Sequence, residues 1–197
     1  MNTIEAISNR RSVRKFTPQE IDADTLNKIL HAGILAPSAK NRQPWKFIAV
    51  TGQNRREMIK VIKTGFEGER SPGGLFENRA YLMLQAEQSL RVMEEAPVTV
   101  FVINTEHQFT LTQTVEEKYS EMANLLSIGA LIENMLLAAL EYGIGSLWIG
   151  DIYFAYNELL EWLRTDRQIA AAVCLGYPAE HPPARPREKL AVLLEKR

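Results

Sequence analysis

Ile128-Gly-Ala-Leu-Ile-Glu-Asn-Met-Leu-Leu-Ala-Ala-Leu140, followed by Glu141-Tyr-Gly-Ile-Gly-Ser-Leu-Trp-Ile149, decides the fold. Between 128 and 140 apolar side chains fall on nearly every face of a helix. Tyr119–Tyr142 is therefore read as one long helix at the packed centre of the domain. Glu133 and Asn134 near its middle would be costly inside a bilayer, which argues for a buried helix of a soluble protein. Gly143 and Gly145 close the helix, and Ser146–Ile149 reads as a strand. A central helix feeding a short apolar strand calls for a sheet with helices packed on it.

Working outward, Thr3–Arg10 is a short amphipathic helix. Asp22 or Asp24 caps a second, with Leu26, Ile29, Leu30, Gly33 and Ile34 on one face and Pro37 at its end. Phe47–Thr51, Val98–Ile103 and Ile169–Leu175 are three further strands. Helices are expected over Arg55–Lys63, Asn78–Met93 and Tyr153–Leu163. Gly65–Gly74 reads as a loop from its glycines, Ser71 and Pro72. His107–Glu116 reads as a polar surface segment that covers a site. The tail His181-Pro-Pro-Ala-Arg-Pro186 is extended, and Lys189–Leu194 reads as β-compatible chain in want of a sheet edge. The sum is mixed α/β, with helices on both sides of a sheet of four or five strands.

The chain has 197 residues, 46% hydrophobic and 24% charged, with a net charge of −1. That is ordinary globular composition, and one domain over 1–197 is expected. No global basic field argues for nucleic acid or anionic membrane. The one cysteine, Cys174, lies in an apolar run, so it reads as buried and inert. The N-terminus shows no charged-then-apolar signal pattern, so a cytoplasmic protein is expected.

Several motifs are excluded. Gly143-x-Gly145-x-x-x-x-Gly150 closes a helix and precedes a strand, the reverse of the dinucleotide fingerprint. There is no P-loop, no GxSxG elbow, and no histidine spacing suited to zinc.

Two arginine clusters remain, Arg10-Arg11-Ser12-Val13-Arg14 near one end and Arg185-Pro186-Arg187 near the other, with a polar turn, Pro37-Ser38-Ala39-Lys40-Asn41-Arg42-Gln43-Pro44-Trp45, between them. Guanidinium forks suit phosphate oxygens, and alternation on extended backbone points Arg185 and Arg187 to one side. Asn and Gln amides suit the edge of an amide-like heterocycle. A phosphate joined to such a ring describes a mononucleotide, FMN in particular.

Taken in order, Arg10–Phe16, Pro37–Phe47, Ile132–Ala139 with Gly143–Gly150, and Gly176-Tyr-Pro178 with Arg185-Pro-Arg187 resemble the FMN-dependent nitroreductase family. The resemblance runs from residue 3 to the C-terminus and is weak over 53–120. It implies a three-layer sandwich, a central mostly antiparallel sheet flanked by helices. It also implies a homodimer with FMN sites at the interface, and a C-terminal extension, 179–197, exchanged with the partner.

By the same resemblance Arg10, Ser12, Arg14, Arg185 and Arg187 hold the phosphate, ribityl and nearby flavin oxygens. Arg11 occupies a slot where the contact often comes through backbone. Pro37, Ser38, Ala39 and Asn41 lie at the turn that packs on the flavin from the other subunit. Asn78 bonds the pyrimidine edge, with Glu77 as the alternative register, and the backbone N–H groups of Ile149 and Gly150 approach flavin N5. The implied activity is oxidation of NADH or NADPH and reduction of a nitroaromatic, a quinone or a related small acceptor, without a catalytic side chain or a metal. The rivals are another flavin reaction on the same scaffold (dehalogenation, flavin fragmentation, substrate dehydrogenation), a flavin-binding module without catalysis, and a site for a phosphorylated metabolite.

Overall fold

The computed structural model describes residues 1–70, 79–108, 110 and 112–197. Among them are four strands, β1 (Trp45–Val50), β2 (Val98–Asn104), β3 (Gly145–Ile149) and β4 (Gln168–Gly176). They form one sheet in the order β1-β2-β4-β3 with every neighbouring pair antiparallel.

The central strands explain why both faces need cover. Every residue of β2 is buried, which is what a strand with apolar neighbours on both sides requires. Val98, Val100 and Val102 point into one core with Ala171, Val173 and Leu175 of β4. Phe101, Ile103, Ala172 and Cys174 point into the other. The first core is closed by α2 (Ala23–Ile34) and α5 (Val115–Glu141). The second is closed by α3 (Asn54–Arg70), α4 (Arg79–Glu95) and α6 (Tyr156–Leu163), with a 3₁₀ turn at Asp151–Ala155. The result has the helices on both sides of the sheet that the sequence pattern called for, and is the three-layer sandwich that the resemblance implies.

α5 is long and apolar enough, by length and composition alone, to cross a membrane. Here it packs as a domain helix, burying Ile128, Leu131, Ile132, Met135, Leu136 and Ala139 against the sheet and α2. It starts four residues before the expected Tyr119. The cause is a capping box: Thr114 Oγ1 accepts from Glu117 N at 3.2 Å, and Glu117 Oε2 accepts from Thr114 N at 2.7 Å. That bond to the Thr114 N–H also holds the Glu117 carboxyl below its ordinary pKa. At the other end Gly143 takes a φ of 69°, with Gly143 N on Leu140 O at 3.1 Å and Ile144 N on Ala139 O at 2.9 Å. This is the Schellman stop that the glycines announced.

Three expectations are corrected. The loop at Gly65–Gly74 gives way to helix as far as Arg70, because Gly65 is a packing glycine: a Cβ there would lie 2.5 Å from Ala155 Cα. β1 begins at Trp45, two residues early, since Thr105 N still bonds Pro44 O at 3.2 Å as the strand pair opens. Lys189–Leu194 is not extended. Leu190–Leu193 forms one helical turn, α7, in which Leu194 N bonds Leu190 O at 2.9 Å. Among the described residues no strand pairs with it, and the segment satisfies its backbone locally.

Candidate flavin site

The first arginine cluster is fixed by the apolar residues threaded through it. α1 (Thr3–Asn9) ends at Arg10, and the chain then runs beside β3 and the exit of β4. Val13 and Phe16 are buried, so Arg14 and Lys15 between them are exposed, while Arg11 and Ser12 just before Val13 are half-buried. Val13 N bonds Ser146 O at 2.9 Å, Thr17 N bonds Tyr177 O at 2.9 Å, and Ala179 N returns to Lys15 O at 2.9 Å. Two glycines make this close approach possible. A Cβ at Gly145 would meet Val13 at 3.0 Å, and one at Gly176 would lie 2.8 Å from Phe16 Cδ1.

The same pairing lays the tail alongside the first cluster, and the two arginine groups converge. A cleft of about 600 Å³ is bordered by Arg10, Arg11, Arg14, Arg185 and Arg187 together with Ser12. Five arginines line it, and Arg10 has a carboxylate partner, Glu133 Oε1 at 3.4 Å. Arg14 Nη1 donates to Ser12 O at 3.2 Å and Arg187 Nη1 to Pro186 O at 3.4 Å, bonds an incoming anion can displace. Arg11 differs. Its Nη1 donates to Ser8 O and Arg10 O, both at 2.8 Å, so its fork caps the end of α1. Among the described residues, four of these five arginines have no carboxylate partner beside their guanidinium groups, and donor forks of this kind suit phosphate oxygens.

Ile149 is buried at the end of β3, and Gly150 follows it exposed. Ser12 pairs with Ser146, three residues back along the same strand, so the two places lie about 10 Å apart. The turn predicted to pack on the ring lies elsewhere on this chain. Pro37, Ser38, Ala39 and Asn41 line neither of the two clefts that Arg10 and Arg11 border. The turn sits against α5, where Ala39 N bonds Ser127 Oγ at 3.3 Å. Lys40, Asn41 and Gln43 hold positive φ of 55°, 54° and 51°, costing about 1–3 kcal/mol each for residues with a Cβ. Asn78 and the alternative Glu77 lie outside the described residues.

A buried polar network beneath the turn escapes sequence reading. Asn104 Nδ2 donates to Gln168 Oε1 at 2.9 Å across β2 and β4, and Gln168 Nε2 donates to Glu121 on α5. Gln113 Nε2 reaches the other Glu121 oxygen at 2.7 Å, so the segment before α5 is tied to the same carboxylate. Asn124, fully buried in α5, donates to Glu106 Oε2 at 3.1 Å. Among the described residues no group of His, Cys, Asp and Glu could hold a metal ion.

Comparison with known proteins gives this geometry a family. The nitroreductase family model matches residues 7–177. The chain belongs to the nitroreductase family.

An Archaeoglobus fulgidus protein assigned as an NADH dehydrogenase/NAD(P)H nitroreductase is 31% identical over 183 residues, 90% of this chain and 86% of the relative. A 5,6-dimethylbenzimidazole synthase of Rhodospirillum rubrum is 28% identical over 194 residues, 92% of this chain and 84% of the relative. Among solved structures, a Desulfovibrio desulfuricans protein assigned as a nitroreductase, solved in complex with FMN, superposes with a TM-score of 0.72. It is 26% identical, and the match covers 100% of this chain and 98% of that one. Membership of the nitroreductase family places the chain among oxidoreductases.

Proposed function

We propose that this nitroreductase-family protein is an FMN-dependent oxidoreductase that oxidises NAD(P)H and reduces nitroaromatic, quinone or related small acceptors. The carrying observation is the convergence of both arginine clusters on one cleft. When bound there, FMN supplies the hydride chemistry.

The chain's own residues bind and orient. Arg10, Arg14, Arg185 and Arg187, with the Ser12 hydroxyl, hold the phosphate and ribityl oxygens. The N–H groups of Ile149 and Gly150 are donors for the ring edge near N5. Donor and acceptor use one pocket in turn, a ping-pong order, and solvent supplies the protons, so no side-chain acid is needed.

The ring-facing turn, Pro37–Asn41, comes from a second copy. Large exposed apolar residues support a homodimer: Ile4 and Ile7 on α1, Tyr119, Met122 and Leu126 along α5, and Leu190 and Leu193 on α7. In that dimer the extension 179–197 embraces the partner.

The test is the visible spectrum of the purified protein, with release of FMN rather than FAD on denaturation. Anaerobic NAD(P)H should bleach the flavin, and nitrofurazone or menadione should restore it. A colourless protein indifferent to added FMN sinks the proposal. A second reading, fragmentation of the flavin itself, has one support. The Rhodospirillum rubrum relative is named for a dimethylbenzimidazole, which carries the dimethyl-substituted benzo ring also found in FMN. Permanent loss of flavin absorbance when the reduced protein meets oxygen would favour it.

A further inference from the structure

We propose that Arg42 is a positioning residue for the flavin: it clamps the Ser38–Gln43 turn in the conformation that presents Ser38 and Asn41. The inference rests on the reading just given, in which this turn packs on the ring.

The turn is held in a conformation its residues do not favour, with three side-chain-bearing residues at positive φ. Such backbone persists only where its surroundings over-determine it. Gln43 N bonds Ser38 Oγ at 3.0 Å, but that bond lies within the turn and anchors it to nothing. Ala39 N bonds Ser127 Oγ on α5 at 3.3 Å, one backbone contact, and Arg42 supplies the side-chain connections outside the turn. Its Nη1 donates to Glu106 Oε2 at 3.3 Å and to Ser120 Oγ at 3.2 Å, while its Nε reaches back to Ala39 O at 3.4 Å.

One guanidinium therefore joins the turn, the exit of β2 and the first half of α5. Glu106 is held from behind: Asn124 Nδ2 donates to the same oxygen, and Glu106 N donates to Asn104 Oδ1 at 3.3 Å. The sheet register sets the meeting, because Trp45 pairs with Asn104 and so brings the residues just outside each strand together. Arg42 and Glu106 keep 31% and 35% of their side-chain surface exposed. A pair so screened contributes through its geometry more than through its charge. A planar fork with three acceptors supplies that geometry, and an ammonium does not.

The test measures FMN dissociation constants from flavin fluorescence, and amide exchange over 38–43 in flavin-loaded and flavin-free protein. R42M should weaken FMN by about tenfold or more and R42K by less, through lost preorganisation. Protection of the turn should fall in R42M even without flavin, while the core strands keep theirs. The double variant R42M/E106Q should bind FMN no worse than R42M, since both act on one contact.

FMN affinity of R42M within about twofold of the parent overturns the proposal. So does a loss of protection spread evenly over the whole chain. Should R42M not fold, E106Q is judged by the same two readouts. Should the parent protein not bind FMN, the functional reading fails, and turn protection in the flavin-free variants alone decides the clamp.

Discussion

Arg14 donates its backbone N–H to Glu180 Oε1 at 2.6 Å, which ties the first arginine cluster to the base of the tail that carries the second. A backbone donor bonded to a carboxylate is a charge-assisted contact, worth about 1.5–3 kcal/mol. Glu180 is also a negative charge beside an anion site, so its removal has an opposing benefit. The carboxylate is already engaged by Arg14 N, and the surface there is screened, so loss of the tail anchor wins. E180A should raise the FMN dissociation constant about tenfold, as measured by fluorescence titration. Unchanged or tighter binding would show that the tail finds its place without Glu180.

The five arginines of the cleft are not equivalent. Arg14 and Arg187 bond weakly to neighbouring carbonyls and are available to a phosphate. R14A and R187A should each weaken FMN by about tenfold to a hundredfold. Arg11 is committed to Ser8 O and Arg10 O at the end of α1. R11A should therefore leave FMN affinity within about threefold and lower thermal stability instead, by about 1 kcal/mol. Equal losses of affinity for R11A and R187A in dialysis and refilling experiments would contradict this ranking.

Leu126 is 71% exposed on α5, seven residues after Tyr119 and four after Met122. A lone exposed leucine can be replaced with a change of about 0.5 kcal/mol or less. A leucine in a covered interface cannot, since a buried carboxylate there lacks a partner. L126E should convert a dimer to a monomer in light scattering and strip the flavin with it. A dimer that survives L126E places the interface elsewhere.

What the chain revealed beforehand follows from the range of each interaction. The long apolar helix, its glycine stop and the apolar strand at Val98–Ile103 are local patterns, and the structure keeps them. Both arginine clusters border one cleft, and that convergence was expected from their donor chemistry, the alternation of Arg185 and Arg187 and the family resemblance. The α3 extension was not, because Gly65 looks like a breaker until Ala155, 90 positions away in sequence, packs against it. Thr114 and Glu117 did carry a capping-box spacing that would have moved the start of α5. The role of Arg42 has no local signal because Glu106 lies 64 residues off, and nothing near Asn104, Asn124 and Gln168 in sequence marks them as buried amides.

Gly65 offers a direct measure of helix packing. In an exposed helix, Gly to Ala stabilises by about 1 kcal/mol. Here the added methyl would lie 2.5 Å from both Cα and Cβ of Ala155, and backbone cannot step aside as a flexible side chain does. Overpacking of this kind costs about 1–3 kcal/mol and outweighs the propensity gain. G65A should lower the melting temperature by several degrees, about 2–4 °C per kcal/mol for a chain this long. A rise in melting temperature would mean that α3 is free to move off the 3₁₀ turn.

Cys174 gives a stability test in the alkaline range. Burial pushes its thiol up to about 12 from an ordinary value of 9.0, against a smaller lowering by the Thr99 hydroxyl. The native state therefore keeps a proton that the unfolded chain releases. Stability is fully present below 9.0 and declines as pH rises through 9 towards 12, by up to about 1.4 kcal/mol per pH unit for one group. Tyr156, also raised by burial, adds the same sign, but only above its ordinary value of 10.0. Between pH 9 and 10 the thiol should dominate, so urea midpoints for the parent should fall across that interval. C174A will be less stable overall from the lost packing, yet its midpoint should stay flatter over the same pH step. Parallel slopes for the two proteins would show that the thiol is not held neutral by the core.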